Sequence, residues 1–313
     1  MESLIDFNIL KDSHLFRKME PLEKGWSNDR KYIIYTSDNK KLLLRISAIS
    51  KFDEKLKESE IIRTISRVCQ NTPKFIDLKI SGNKILQLYT FIEGEDALES
   101  IGRYSKEEQF NLGIEAGKTL KKIHEAEKIT DARRIIEMQK ERIIERTKAY
   151  ENSRYYSYED QGLIKYIKEN IEILNSAQIA LCHGDYHLGN MIINNNNIYI
   201  IDFNRFNYED IYKDFIPMCA FTRGESIEFA KGQLKGYFEE YIPVEFWQRL
   251  KLYLAYSSLY SILWAENCSN EEVEAMIKRK KMVYNDFTKS SFDSPCWVRS
   301  EERRVGKECR SRW

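Results

Sequence analysis

The sequence predicts an α+β fold with two lobes, a small β-rich one followed by a large, mainly helical one. Three observations predict it. Strand signals run up to residue 92, helical periodicity dominates after Gly94, and one short β-rich stretch at 178–202 interrupts the helices. A chain of 313 residues is long enough to give both lobes a core.

In chain order, the segment ahead of Gly25 reads as helix-like. Residues 31–36 (KYIIYT) are rich in β-formers, 37–40 (SDNK) supply turn chemistry, and 41–47 (KLLLRIS) make a second strand, so a hairpin is expected. Residues 53–69 turn helical, with Leu56, Ile61, Ile62, Ile65 and Val68 at helical spacing. Residues 84–92 (KILQLYTFI) form another strand, which Gly94 ends. An amphipathic helix follows at 107–124, with Leu112, Ala116, Leu120 and Ile123 on its apolar side, and long helices fill 132–175. Helices resume at Ser226. The expected organisation is therefore 1–93 for the first lobe, 94–298 for the helical lobe, and 299–313 for a tail outside the fold. That tail, RSEERRVGKECRSRW, matches residue for residue the translation of a common short-read sequencing adaptor. The expectation is that the gene-derived chain runs out near Val298, and no function is assigned beyond it.

Composition excludes several function classes. Hydrophobic residues make up 42% and charged residues 32%, and 50 Lys+Arg nearly cancel 49 Asp+Glu. Such a balance gives no electrostatic case for nucleic acid or an anionic membrane surface as partner. No run approaches the roughly 20 apolar residues of a membrane span, and the N-terminus lacks a secretory pattern. The six cysteines are scattered with no CxxC, which points to reduced thiols in a cytoplasm rather than disulfides or zinc.

Chemistry concentrates in His183-Gly184-Asp185-Tyr186-His187-Leu188-Gly189-Asn190, followed by Ile200-Ile201-Asp202-Phe203. The pattern is HGDxxxxN, a turn of asparagines, a short apolar strand, then Asp. Phosphoryl transfer needs a carboxylate beside the acceptor hydroxyl and hard oxygen ligands for Mg²⁺ on the phosphates. Asp185 suits the first role. Asn190 and Asp202 suit the second, since one amide oxygen and one carboxylate leave room for waters and phosphate oxygens. Asp185 already fills the proton-accepting role, so His183 is expected to brace the loop. His187 and His124 are expected to pack or cap.

These motifs resemble the aminoglycoside phosphotransferase and choline kinase-like family, relatives of protein kinases, over nearly the whole chain before the tail. The resemblance implies a bilobal protein-kinase-like fold, Asp185 as catalytic base, and Asn190 and Asp202 as Mg²⁺ ligands. It implies ATP or GTP as co-substrate, a choice that the sequence leaves open, and a hydroxylated small molecule as acceptor. Downstream, Asp210 and Asp214 resemble the family's next segment, although Glu209-Asp210-Ile211 stands where Gly-Asp-Pro is usual. Arg45, in Leu44-Arg45-Ile46, holds the place of the family's phosphate-binding lysine. Its partner should be a helix glutamate, and Glu58 is chosen over Glu60 because it shares a face with Ile61, Ile62 and Ile65. Tyr89, Thr90, Phe91 and Ile92 look like the family's inter-lobe linker, whose backbone meets an adenine edge; an ordinary strand end is the alternative, and only the position between the lobes favours the linker. In the Gly25-Trp26-Ser27-Asn28 loop, with Ser27 as the expected contact, a glycine and small polar residues let N–H groups approach phosphates; an ordinary β-turn is the alternative.

The acceptor is expected to be of aminoglycoside type, with choline, an amino sugar, a fructosamine or a macrolide as alternatives. Glu225, Glu228, Glu239, Glu240, Glu266, Glu271 and Glu272 could meet a polycation or could simply be solvated faces. Residues 221–224 (FTRG) and the aromatic helix 253–264 either line the acceptor cleft or pack in the core. A nucleotide-binding pseudokinase acting as an interaction module is the rival reading. Intact Asp185, Asn190 and Asp202 oppose it, and Arg45 is the one feature in its favour. A protein kinase ranks last, since no Ala-Pro-Glu-like stretch follows Asp202.

Overall fold

Period-two alternation builds the first sheet. In the computed structural model, which describes residues 5–23, 29–127, 129, 131–288 and 294–298, this sheet has five strands in the order β1-β2-β3-β5-β4. They are β1 (Phe16–Pro21), β2 (Arg30–Thr36), β3 (Lys41–Ala48), β4 (Phe75–Ser81) and β5 (Lys84–Thr90), each antiparallel to its neighbours. Ile34, Leu44, Ile46, Leu86 and Leu88 alternate onto one face and pack with Leu10. Arg45 and Gln87 lie on the other face, which α1 (Phe52–Val68) covers. There Gln87 Nε2 donates to Ser59 Oγ at 2.9 Å, and Ile61, Ile62 and Ile65 are buried. The loop containing Gly25 and Ser27, and the tail 299–313, lie outside the described residues.

Two strands depart from the sequence reading. β1 occupies a stretch read as helix-like, because pairing of Phe16–Pro21 with Tyr32–Thr36 overrides weak local preference. β4 was not foreseen. It sits at the opposite edge, where partial exposure of both faces blurs the alternation that marks a strand. The strand expected over 84–92 ends at Thr90.

The described residues divide into two compact units. One holds the residues up to Ser100 together with Gly189–Phe206, and the other holds Ile101–Leu188 and the residues from Asn207 onward. A single cut at 93/94 is thus corrected in two places. The first unit also includes β6 (Glu95–Asp96) and α2 (Ala97–Ser100), and it includes the hairpin of β8 (Met191–Asn194) and β9 (Asn197–Ile200). The hydrogen bonds explain this. β6 pairs with β8, the Ile200 N–H donates to the Asn71 carbonyl at 2.9 Å, and Asn71 Nδ2 donates to the Ile198 carbonyl at 2.9 Å. The asparagine run makes the turn: Asn195 and Asn196 both have positive φ (49° and 59°), as a two-residue type I′ hairpin requires.

In the second unit, β7 (Ile179–Cys182) pairs with β10 (Asn207–Asp210). The helices are α3 (Lys106–Glu125), α4 (Ala132–Glu151), α5 (Gln161–Asn170), α6 (Arg223–Glu225), α7 (Ile227–Phe238), α8 (Val244–Ala265) and α9 (Asn270–Thr288). A Ser105/Glu108 capping box starts α3. The helical stretch expected at 132–175 is interrupted after Glu151, where Ser157 and Asp160 form a second capping box. The aromatic stretch 253–264 belongs largely to the core, with Tyr253, Leu254, Tyr256, Leu259 and Ile262 buried. Among the described residues, no helix is long and apolar enough to cross a membrane.

α3 and α7 meet at backbone distance through Gly113 and Gly117 on one helix and Gly232 and Gly236 on the other. A Cβ at Gly236 would lie 2.0 Å from the Ile114 carbonyl oxygen, and one at Gly117 would lie 2.1 Å from that of Gln233. Backbone cannot yield as a side chain tip does, so Gly236→Ala is expected to destabilise the protein by about 3 kcal/mol through overpacking. Gly224→Ala is the control, because nothing lies within 4 Å of its added Cβ. Thermal denaturation of the two variants checks this: a Gly236→Ala melt matching that of Gly224→Ala would show that the helices part freely.

Candidate active site

The loop after β7 is tied down from below by one carboxylate. Asp214 accepts from the His183 N–H at 2.7 Å and the Gly184 N–H at 2.8 Å. His124 Nε2 lies 3.1 Å from Asp214 Oδ2, and His124 Nδ1 lies 2.8 Å from the Tyr237 hydroxyl. Burial alone would raise the Asp214 pKa, but the bond from His124 and the surrounding donors outweigh it and hold the group below the usual carboxylate range. His124, Cys182 and Asp214 present ligand atoms within 4.8 Å of one another. The His124 and Asp214 atoms in that trio are engaged in the hydrogen bonds just described. Gly184 adopts φ 81°, a conformation open to glycine at little cost. The Tyr186 hydroxyl reaches α3, donating to the Ala116 carbonyl at 2.6 Å.

This bracing presents Asp185. Its N–H donates to His183 Nδ1 at 3.3 Å, so His183 braces the loop as expected. His187 packs on Phe221, with ring centroids 5.2 Å apart, and its Nε2 lies 3.3 Å from Asp185 Oδ1. The Asp185 side chain keeps 22% exposure, so its carboxylate is held yet reachable. Beyond the loop, Asp210 makes a buried pair with Arg249 at 3.0 Å, accepts from Tyr253 at 2.9 Å, and caps the next turn through the Tyr212 N–H. The missing glycine and proline around Asp210 leave this capping intact.

In the first unit, the β8–β9 hairpin carries two oxygen-bearing side chains at its base. Asn190 precedes β8 and Asp202 follows β9. The Ile201 N–H donates to the Asn190 carbonyl at 3.0 Å, so one backbone hydrogen bond ties the two positions together. Asp202 adopts φ 62°, a left-handed conformation that Asp tolerates better than most residues and that turns the chain sharply at the strand end. An amide and a carboxylate at adjacent positions are a donor set that fits Mg²⁺.

Arg45 pairs with Glu58, Nη1 to Oε1 at 2.5 Å. Glu58 is buried, whereas Glu60 is exposed, so the partner is Glu58 and not a solvated surface charge. Two partners were not anticipated: Arg45 Nη2 donates to Asp29 Oδ2 at 2.9 Å, and Lys55 Nζ lies 2.9 Å from Asp29 and 3.0 Å from Glu58. Burial would raise Asp29, but the bond and charge of Lys55 override it and hold the carboxyl down to about 2. Lys55 was legible, since it stands three residues before Glu58 on the same helix face. Asp29 carried no signal, because its partners are distant in sequence.

The four positions Tyr89 to Ile92 differ in availability. The Tyr89 side chain is buried, its hydroxyl accepting from Gln87 Nε2 at 2.6 Å. The N–H groups of Thr90 and Phe91 are engaged with the carbonyls of Lys74 (3.0 Å) and Lys41 (3.2 Å). The Ile92 N–H has no backbone acceptor among the described residues. Of the acidic acceptor candidates, Glu225, Glu239, Glu240, Glu266 and Glu271 are exposed, Glu239 pairing with Lys121 and Glu266 with Arg154.

A family profile described as the phosphotransferase enzyme family, APH, matches residues 18–253. The chain belongs to that family. This phosphotransferase family member also resembles solved structures. It is 19% identical to an ADP-bound aminoglycoside phosphotransferase APH(2'')-Ib, over 86% of this chain and 95% of that one, with a TM-score of 0.59. It is 15% identical to a choline/ethanolamine kinase family protein from Mesorhizobium loti (86% and 88% covered, TM-score 0.60). It is also 15% identical to the amicoumacin kinase hAmiN in complex with AMP-PNP, Ca²⁺ and Ami (88% and 90% covered, TM-score 0.60). At these identities the likeness shows the fold, which is protein-kinase-like. No curated protein matches the sequence.

Proposed function

We propose that the chain is a cytoplasmic, Mg²⁺-dependent kinase that moves the γ-phosphoryl group of ATP or GTP to a hydroxyl of a small molecule. The observation that carries this reading is the backbone hydrogen bond from Ile201 to Asn190, which joins the start of β8 to the residue before Asp202 at the hairpin base. In this reading Asp185 accepts the acceptor's hydroxyl proton, the freed oxygen attacks the γ-phosphorus, and the bond to the β-phosphate oxygen breaks to release the nucleoside diphosphate. The cation held by Asn190 and Asp202 neutralises phosphate charge when bound. Arg45 and Glu58 shape the nucleotide side, the Ser27 loop approaches the phosphates, and the backbone from Tyr89 to Ile92 meets the base, with the Ile92 N–H as the available donor. Support comes from family membership and from solved relatives that hold ADP, or AMP-PNP with Ca²⁺. The described cysteines are all free thiols, in keeping with a reducing compartment. An aminoglycoside-type acceptor is the first choice, and the choline/ethanolamine kinase neighbour supports another small metabolite as the second.

The test is a screen for Mg²⁺-dependent release of ADP or GDP against hydroxylated small molecules; release with none of them in either nucleotide would remove the proposal. A related prediction concerns the ligands. Asp202→Ala is expected to remove the Mg²⁺-dependent gain in triphosphate affinity more completely than Asn190→Ala, because a carboxylate brings charge to the cation and an amide does not. Titration calorimetry with and without Mg²⁺ checks it, and a full gain retained in Asp202→Ala would exclude Asp202 as a ligand.

A further inference from the structure

Resting on the nucleotide reading above, we infer that Lys31 of β2, and not Arg45, supplies the free positive charge that receives the nucleotide's phosphates. Arg45 and Lys55 are each engaged with Asp29 and Glu58, and all four side chains are buried. Two cations and two carboxylates cancel, so this closed set presents no net charge to an incoming anion. The rigid fork of Arg45 has both terminal nitrogens committed to carboxylates, and its Nε is buried with no hydrogen-bond partner among the described residues.

Lys31 stands directly opposite Arg45 in the β2–β3 register. Cross-strand neighbours share a face, so its side chain leaves the sheet on the side where Arg45 and α1 lie. It is half-buried, and its ammonium has no hydrogen-bond or salt-bridge partner among the described residues. Burial is the largest influence on it and lowers its pKa, with attraction to Asp202 the main offset. A half-buried ammonium with no hydrogen-bonded partner is costly by itself, and the pull of Asp202 offsets burial only in part. A phosphate oxygen would supply the missing acceptor and the missing charge together. Sequence reading passed over Lys31 because it sits in a strand chosen for its β-formers.

The experiment measures binding of ADP, ATP and adenosine by calorimetry in the whole protein and in Lys31→Gln and Lys31→Met. Lys31→Met keeps the aliphatic stem against the sheet, so it carries the test should Lys31→Gln fold poorly. The expected result is a loss of ADP and ATP affinity of at least about 10-fold, the usual scale of one charge-assisted contact. Adenosine affinity should stay within about twofold, because adenosine has no phosphate. The melting temperature without nucleotide should hold or rise, since a half-buried charge with no hydrogen-bonded partner has been removed. ADP binding unchanged in both variants would overturn the inference, as would a lower melting temperature with unchanged ADP binding, which marks a structural lysine. An unaltered protein that bound adenosine but gained nothing from phosphates would also overturn it. If the unaltered protein bound none of the three, the nucleotide reading itself would fail, a result distinct from a defect confined to the variants.

Discussion

Asp185→Ala is expected to lower kcat by at least about 10²-fold while nucleotide affinity stays close to that of the unaltered protein, since positioning and proton acceptance together contribute at least this much. The two quantities separate because Asp185 belongs to the loop braced by Asp214, whereas the proposed cation ligands belong to the β8–β9 hairpin. His187 remains in the variant, 3.3 Å from where the carboxylate stood, and cannot replace it. Its ring packs at a tilt against Phe221, and its Nε2 is directed at Asp185. Single-turnover kinetics on a turned-over acceptor, paired with a nucleotide titration, checks both halves. Near-native turnover would mean that another group takes the proton. A parallel fall in nucleotide affinity would mean that Asp185 holds the cation.

Asp214→Ala should have the largest effect on stability, about 3–5 kcal/mol. It strips the acceptor from two backbone N–H groups and from His124 at once, those of His183 and His124 buried and that of Gly184 partly so. Unmet buried donors lose their full desolvation energy, with no new partner to offset it. The folded pKa of Asp214 is depressed, so its stabilising contribution is complete above the ordinary carboxylate value of 3.8 and disappears as pH falls through the lower folded value. Denaturant midpoints measured from neutral pH down to about pH 3 should therefore fall more steeply for the unaltered protein than for Asp214→Ala. Equal midpoints at neutral pH would show that the loop holds itself without Asp214. The variant should also lose turnover, because the backbone of Gly184 that leads into Asp185 is no longer fixed.

Much of the site was legible because its residues are close in sequence. HGDxxxxN and the strand-borne Asp202 place the proposed base and the two proposed oxygen ligands within one short stretch, and Ile198 and Ile200 announce the strand that leads into Asp202. Glu58 followed from helix periodicity, and its burial bears that out. What stayed hidden depends on partners far along the chain. β1 becomes a strand only because β2 lies beside it. Asp29 joins Arg45 and Lys55 only after the sheet and α1 have assembled. The four glycines of the α3–α7 crossing sit in sequences of ordinary helical character, and their purpose appears only where two backbones meet. A lysine such as Lys31 looks like a solvated strand residue until its register neighbour and its burial are known.

The hairpin that joins the first unit from the far side of the chain has a consequence for synthesis. At the ribosome, the five strands of the sheet and α1 emerge early, yet Gly189–Phe206 follows only after about a hundred further residues. At roughly 5–20 residues per second, the early strands wait on the order of 5–20 s for the segment that completes them. During that interval the edge of β6 and the Asn71 carbonyl lack the partners they meet in the finished protein. Vectorial folding, in which the N-terminal unit closes before the rest is made, is thus unavailable here. A fragment ending at Ser100 would carry Arg45 and Glu58 but neither proposed oxygen ligand. Gene fusions or split versions that separate the chain at that boundary should be rescued only by a complementing piece that includes Asn190 and Asp202.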